Sequence, residues 1–183
     1  MLIMNSKISE LRTSYKPAKI EVLFVAESPP ESNDSEVRFF YNPRQESYDV
    51  LYRSLMKTVF PEYQYKSGEK DSWLRKFQGE GCYLIDGTDT PLNRESSADR
   101  NKALRDALEG KISEINGLIA LSTPVVLIEK NVFAVFNQPL RDAGHNVIHD
   151  TFLPFPSHGH QPRFIKACGN CYLEARGGNR TLR

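Results

Sequence analysis

Two apolar runs of the chain end directly on acidic side chains that could do chemistry. VLFVA at 22–26 is followed by Glu27-Ser28-Pro29-Pro30, and Tyr83-Leu84-Ile85 is followed by Asp86-Gly87. A carboxylate held at the end of a buried strand can orient a water molecule or stabilise a developing positive charge. The alternative is that both acids are solvated loop residues, since loops are generally polar.

The stretch FPSHGH at 155–160 carries two histidines that could move a proton. His158 and His160 lie on either side of Gly159, after a turn braced by Pro156. Imidazole is the side chain best suited to donate or shuttle a proton near neutral pH. Two exposed loop histidines would give the same pattern.

A metal site is the weaker interpretation of the histidine pair. Together with Cys168-x-x-Cys171, the two histidines superficially supply four ligands. The cysteines fall within a predicted helix, however, and no second cysteine pair balances them, so the sequence predicts no metal. Together with Cys82 the chain has three cysteines, an odd number without the spacing of a disulfide framework. This count favours a reducing compartment.

The segment RFFYNP at 38–43 places three aromatic residues in a row after a polar loop. Such a run can supply a platform on which a base stacks, at about 1–3 kcal/mol per base. It can equally be a hydrophobic clamp that packs the loop onto the sheet.

The C-terminal region has an excess of basic residues. From Gln161 onward the chain has one acid (Glu174) and five basic residues (Arg163, Lys166, Arg176, Arg180 and Arg183). This bias suits phosphate contacts or a solvated helix face.

The elements that must position these residues alternate between strand and helix patterns. Strands are predicted at 20–25, 83–85, 124–128 and 146–149. Helices are predicted from a Ser47 cap to Pro61, from caps at Ser96, Ser97 or Asp99 through Ile119, over 131–140, and after Pro162. This order predicts a parallel sheet covered by helices on both faces, with ligands beyond the carboxyl ends of its strands.

Length and composition limit the cellular setting and the partners. The chain has 183 residues, 39% of them hydrophobic, and a net charge of +1. No run approaches the roughly 20 apolar residues of a membrane span, and the start is not that of a signal peptide. We therefore expect a cytoplasmic protein without membrane contact, in which any nucleic-acid binding depends on a local patch.

Three of these stretches together resemble the uracil-DNA glycosylase superfamily, and most closely its smaller bacterial branches. VAESPP resembles the first motif, a strand followed by Gly-Glu-Ala-Pro-Gly, with Glu27 and Pro29 in the matching places. YLIDGTDTPLNR resembles the second segment, with Asp86 and Asn93 in register. LPFPSHGHQPRFIKA resembles the last motif, which contains His-Pro-Ser, and the likeness spans roughly residues 20–170.

The resemblance implies a fold and an activity. The fold is an α/β, three-layer α/β/α sandwich with a central four-stranded parallel sheet, as one domain over 1–175 with a basic, flexible tail over 176–183. The activity is that of a DNA glycosylase, which flips out uracil or another modified base and hydrolyses its N-glycosidic bond. The implied partner is single- or double-stranded DNA, with no cofactor and a monomeric protein.

Each step of that reaction has candidate residues. The transition state places positive charge on the sugar and negative charge on the departing base. Glu27 or Asp86 would stabilise the charge on the sugar, and His158 would donate a hydrogen bond or proton to the base. Phe40 or Tyr41 would stack on the base, and Asn42 or Asn93 would read its edge. The remaining candidates are Ser28 and Pro29 for substrate binding, and Lys130, Ser157, His160 and Arg163 for the nucleic-acid backbone.

The sequence also departs from the family pattern. Phe155 occupies the place of the histidine before Pro-Ser, and Asp86 stands where an asparagine usually reads the base. Pro30 replaces a glycine and removes a backbone donor. Two other functions therefore stay open: a binding module of the same fold without catalysis, and a hydrolase of free nucleosides or nucleotides.

Overall fold

Four parallel strands form one sheet: β1 (Val22–Ala26), β2 (Cys82–Asp86), β3 (Pro124–Leu127) and β4 (Asn146–Val147). Their order across the sheet is β2-β1-β3-β4, so β1 and β3 are central. The computed structural model describes residues 2–31, 39–45, 49–157 and 159–178, with only the backbone of residues 2–6. His158, a predicted proton donor, lies outside the described residues.

The described residues form six helices around this sheet: α1 (Leu2–Ser14), α2 (Val50–Val59), α3 (Lys70–Gly79), α4 (Ser97–Leu118), α5 (Lys130–Asp142) and α6 (Gln161–Ala175). α2 packs against α6, and α4 packs against α5. Right-handed crossovers place the two pairs on opposite faces, and the predicted three-layer fold with a four-stranded parallel sheet is confirmed. The sequence did not indicate α1 or α3. No helix in the described part of the chain is long and apolar enough to cross a membrane.

Side-chain caps set where two of the helices begin. α4 starts after Ser96, whose hydroxyl oxygen accepts the backbone N–H of Asp99 at 3.2 Å, as the sequence predicted. α2 starts after Asp49, whose carboxylate accepts the N–H of Tyr52 at 3.0 Å. The predicted cap of α2, Ser47, lies outside the described residues. Lys70 Nζ donates to the other oxygen of Asp49 at 2.9 Å, and this ion pair joins α3 to α2.

The core is built around the two central strands. All five residues of β1 are buried, because neighbouring strands cover its edges and helices cover its faces. The buried apolar side chains form one cluster that extends from β1 into α2, α5 and α6. A fully apolar strand is typical of a sheet with both faces covered.

Tyr41 satisfies the outer edge of β2, which has no neighbouring strand on that side in the described part of the chain. Its hydroxyl accepts the backbone N–H of Leu84 at 2.7 Å and lies 3.2 Å from the carbonyl oxygen of the same residue. The ring is fully buried and lies in edge-on contact with Phe40 and Phe39. Tyr41 was predicted as a possible stacking residue for a base, but its side chain belongs to this core.

Removing that hydroxyl should destabilise the fold. In the variant Tyr41→Phe, the buried N–H and C=O of Leu84 lose their shared partner, and an unsatisfied buried polar group costs about 1–3 kcal/mol. Chemical denaturation should therefore show a free energy of unfolding lower by that amount. Tyr65→Phe is the matched control, because Tyr65 is 42% exposed, and its effect should stay within about 0.5 kcal/mol. Equal effects of the two substitutions would contradict the structural role of Tyr41.

Candidate functional site

A topological switch point lies at the carboxyl ends of the central strands β1 and β3. After β1 the chain forms β2 on one side of it, and after β2 it crosses the sheet to form β3 on the other side. The connections that follow β1 and β3 therefore run in opposite directions across the sheet. Ligands bind at such switch points in open parallel sheets. A cavity of about 680 Å³ lies here, and both Glu27, directly after β1, and Glu129, just after β3, line it.

Glu27 is a buried carboxylate with both oxygens held. Arg100 Nη1 donates to Oε2 at 2.8 Å, and Asn131 Nδ2 donates to Oε1 at 2.9 Å. Its backbone carbonyl accepts the N–H of Thr88 at 3.1 Å, which ties the turn after β1 to the turn after β2. With only 8% of the residue exposed, Glu27 is fixed in one position at the cavity wall.

Arg100 is the cation that orients this carboxylate. It lies in the first turn of α4, and its remaining guanidinium nitrogens are also engaged: Nε donates to the carbonyl of Glu95 at 3.1 Å, and Nη2 to that of Asn93 at 3.3 Å. Its Nη1 lies 4.0 Å from Glu129 Oε1 as well. Arg100 therefore links two cavity carboxylates through a single nitrogen.

Glu129 has an unusual backbone and an unusual environment. At φ 85° and ψ 151°, it is the one non-glycine residue with positive φ in the described ranges, and this region is almost restricted to glycine. Burial, together with the charge of Glu27, raises the pKa of Glu129 to about 7, and Arg100 opposes the rise. Its backbone N–H donates to the carbonyl of Leu153 at 2.9 Å, which holds the loop that carries Phe155.

Asp86 reaches the cavity from the end of β2. Arg12 of α1 donates to Asp86 Oδ2 at 2.6 Å and lies 3.7 Å from Asp89, which also pairs with Lys111 at 3.0 Å. Burial raises the pKa of Asp86, while Arg12 and Lys111 pull it down. Asp86 thus sits in a network of alternating charges that extends from the cavity to α1 and α4.

Aromatic rings form the apolar part of the wall. Phe39, Phe40 and Phe155 line the cavity together with Leu51 and Leu84. The aromatic segment is braced by Gln45, whose Oε1 accepts the N–H of Phe39 at 2.5 Å. The hydrophobic clamp inferred for this segment is present, since all three rings are buried in the core. Phe39 and Phe40 also line the cavity, whereas Tyr41 does not.

The structure brings together six of the predicted site residues at the cavity: Glu27, Ser28, Phe40, Asp86, Asn93 and Ser157. Pro29 is buried, and Asn42 accepts the N–H of Arg44 at 3.1 Å; neither is among the described residues that line the cavity. The side chains of Lys130, His160 and Arg163 are exposed at the starts of α5 and α6.

Sequence reasoning missed Arg12, Arg100, Glu129 and Asn131. Glu129 and Asn131 flank Lys130, the residue that the sequence analysis chose after the third predicted strand. For the two arginines the sequence holds no comparable signal, since each shares its helix with at least one other basic residue.

The described residues contain no group of three or more histidine, cysteine, aspartate or glutamate side chains arranged to hold a metal ion. Cys82, Cys168 and Cys171 are buried and form no disulfide. Burial raises the pKa of Cys82 to about 12 and that of Cys168 well above its ordinary value. Burial therefore disfavours the thiolate form of Cys82 and Cys168, which pack as members of the core.

Comparison of the chain with models of known protein families, with curated proteins and with solved structures finds no match.

Proposed function

We propose that this protein hydrolyses N-glycosidic bonds in nucleic acid and releases uracil or another modified base. The observation that carries the proposal is Glu27, a buried carboxylate fixed by Arg100 and Asn131 at the wall of an aromatic-lined cavity. The resemblance of the stretches around Glu27, Asp86 and Pro156 to uracil-DNA glycosylases supports the same reaction.

The chemistry needs a carboxylate on the sugar side. As the glycosidic bond breaks, positive charge develops at C1′ of the sugar and the electron pair moves to the base. Glu27 would stabilise that charge and orient the attacking water molecule. Arg100 and Asn131 hold both oxygens of the carboxylate beforehand, so little reorganisation is needed during the reaction.

The cavity suits a single extruded base. Its volume of about 680 Å³ falls within the usual range of small-molecule sites. Phe39, Phe40 and Phe155 give it apolar walls on which a planar base can stack, and Asn93 and Asp86 offer polar groups for its edge. A base in a duplex would have to be flipped out to enter.

Contacts to the nucleic-acid backbone are assigned to exposed residues at two helix starts. Lys130 begins α5, and His160 and Arg163 lie at the beginning of α6. Both helices follow the carboxyl ends of strands and so start at the cavity edge of the sheet. Basic side chains near helix N-termini are well suited to phosphate.

A second candidate is hydrolysis of free nucleosides. The cavity is lined by four acids, Glu27, Asp49, Asp86 and Glu129, against one arginine, Arg100, in the described part of the chain. This acidic lining disfavours a phosphate group inside the cavity and favours an uncharged nucleoside.

The test is a single-turnover assay on three substrates: single-stranded DNA with one uracil, the same strand in a duplex, and free deoxyuridine. Alkaline cleavage reports abasic sites in the DNA, and chromatography reports the free base. We expect base release from DNA by the wild type, with the Glu27→Gln variant as the blank. Release from deoxyuridine alone would establish the second candidate. DNA binding without any product would identify a non-catalytic module and overturn both.

A further inference from the structure

We propose that Glu129 is the proton donor to the departing base, so that Glu27 and Glu129 serve opposite sides of the bond under the control of Arg100. The inference rests on the proposed function and deepens it. It assigns the role expected of His158 to a residue that the sequence resemblance does not single out.

The geometry places the two acids in one site but holds them differently. Both line the cavity, and both face Arg100 Nη1, Glu27 at 2.8 Å and Glu129 at 4.0 Å. Glu27 has both oxygens occupied by donors from Arg100 and Asn131, which fix its orientation in the cavity wall. Glu129 lies farther from the guanidinium group of Arg100 than Glu27 does. This longer distance leaves the carboxyl of Glu129 able to carry a proton.

The backbone of Glu129 supports a functional role. A glutamate at φ 85° and ψ 151° occupies a conformation that glycine adopts without strain. Residues held in such regions cluster at active sites, where the surrounding structure enforces the strain. Here the enforcing contacts are the hydrogen bond to Leu153 and the start of α5, where Phe133 donates to the carbonyl of Glu129 at 3.0 Å.

The electrostatic surroundings give Glu129 a proton at the pH where it would be needed. Glu27 faces it from the end of β1 and Arg100 from α4. Burial and the charge of Glu27 raise the pKa of Glu129 to about 7, and the charge of Arg100 opposes this rise. Near neutral pH about half of the molecules therefore carry a protonated Glu129. A carboxyl group whose pKa is raised by burial is a common general acid in enzyme active sites.

The step balances as a hydrolysis. The bond between C1′ and the base nitrogen breaks, its electron pair stays with the base, and the Glu129 proton is transferred to the base. Water attacks C1′ and gives its proton to Glu27, which leaves a free base and a sugar hydroxyl. Proton exchange with solvent then returns Glu27 to its charged form and Glu129 to its protonated form.

The experiment compares wild type and Glu129→Gln in single-turnover base release between pH 5 and pH 9. The wild-type rate should fall as pH rises through about 7, since the acid form of Glu129 is then lost. The Glu129→Gln variant should be slower by about 10²–10⁴-fold at pH 6 and should lack this fall. The exposed acid Glu109 supplies the control Glu109→Gln, which should keep the wild-type profile.

A change of leaving group separates proton donation from a structural role. 5-Fluorouracil departs more easily as an anion than uracil and needs the proton less. The loss of rate in Glu129→Gln should therefore be smaller with 5-fluorouracil than with uracil. An equal loss with both bases, or an unchanged pH profile, would overturn the role of Glu129 while the proposed function stands. Absence of base release by the wild type would instead remove the proposed function.

Glu129→Gly tests the backbone and guards against a loss of activity through unfolding. Glycine relieves the strained conformation and removes a buried acid, so the Tm should rise by roughly 3–8 °C. The folded-state pKa is raised from 4.5 to about 7, so Glu129 costs stability increasingly as pH rises between these values, and the gain should be larger at pH 8 than at pH 5. A lower Tm would show that the side chain stabilises the fold and would overturn the proposal.

Discussion

The Glu27→Gln variant is expected to release base about 10²–10⁴-fold more slowly than the wild type. Glutamine keeps an oxygen for the Asn131 amide but removes the negative charge that would face the sugar. The single-turnover rate on uracil-containing DNA, measured with protein in excess, reports this loss without interference from product release.

Glu21→Gln is the matched control for this substitution. Glu21 lies just before the opposite end of β1 and pairs with Lys19 at 2.9 Å, so the same chemical change is made far from the cavity. Its rate should equal that of the wild type. A Glu27→Gln variant with an unchanged rate would show that the carboxylate has no part in the reaction.

The Arg12→Met variant is expected to lose about 3–5 kcal/mol of folding free energy. Methionine leaves Asp86 buried without its closest countercharge, since Arg12 donates to Asp86 Oδ2 at 2.6 Å. The carboxyl of Asp86 would then be charged at a high cost or protonated. Because protonation relieves the cost at low pH, the deficit in the free energy of unfolding should be larger at pH 8 than at pH 5.

A double-mutant cycle isolates the pair. The Arg12→Met, Asp86→Asn variant has no buried charge to compensate at this position, so it should be more stable than Arg12→Met alone, with a coupling energy of about 2 kcal/mol or more. Arg105→Met, on the exposed face of α4, should change the free energy of unfolding by less than about 0.5 kcal/mol. Additive effects in the cycle would show that Arg12 and Asp86 act independently.

The sheet was predictable because its strands carry strong local signals. The run at 124–128 is β-branched and apolar, and the structure places β3 at Pro124–Leu127. The cap at Ser96 was equally readable. In contrast, α3 has only Trp73, Leu74 and Phe77 as buried apolar residues, and its other buried residue is Lys70. A helix that buries a lysine through an ion pair with Asp49 cannot be recognised from apolar periodicity.

The sequence predicted the charged side chains of the site only where they directly follow a predicted strand. Glu27 and Asp86 follow apolar runs, so the rule for parallel sheets found them. Arg12 and Arg100 come from helices 74 and 73 residues away in sequence from their partners, and each resembles a solvated surface residue. Glu129 also follows an apolar run, but the sequence analysis did not select it, because its importance depends on backbone dihedral angles that residue types do not indicate.

The hydroxyl of Tyr41 also blocks part of the outer edge of β2. An open strand edge is a template on which another chain can add a strand and begin an aggregate. β4 limits this risk at its side of the sheet by being only two residues long, whereas β2 has five. Tyr41 occupies the outward N–H and C=O of Leu84 at the middle of β2, so an incoming strand would find its central pair of hydrogen bonds taken. Because Phe40 is the next residue, the same anchor secures the aromatic wall of the cavity, and loss of this anchor should expose the sheet edge and loosen the wall together.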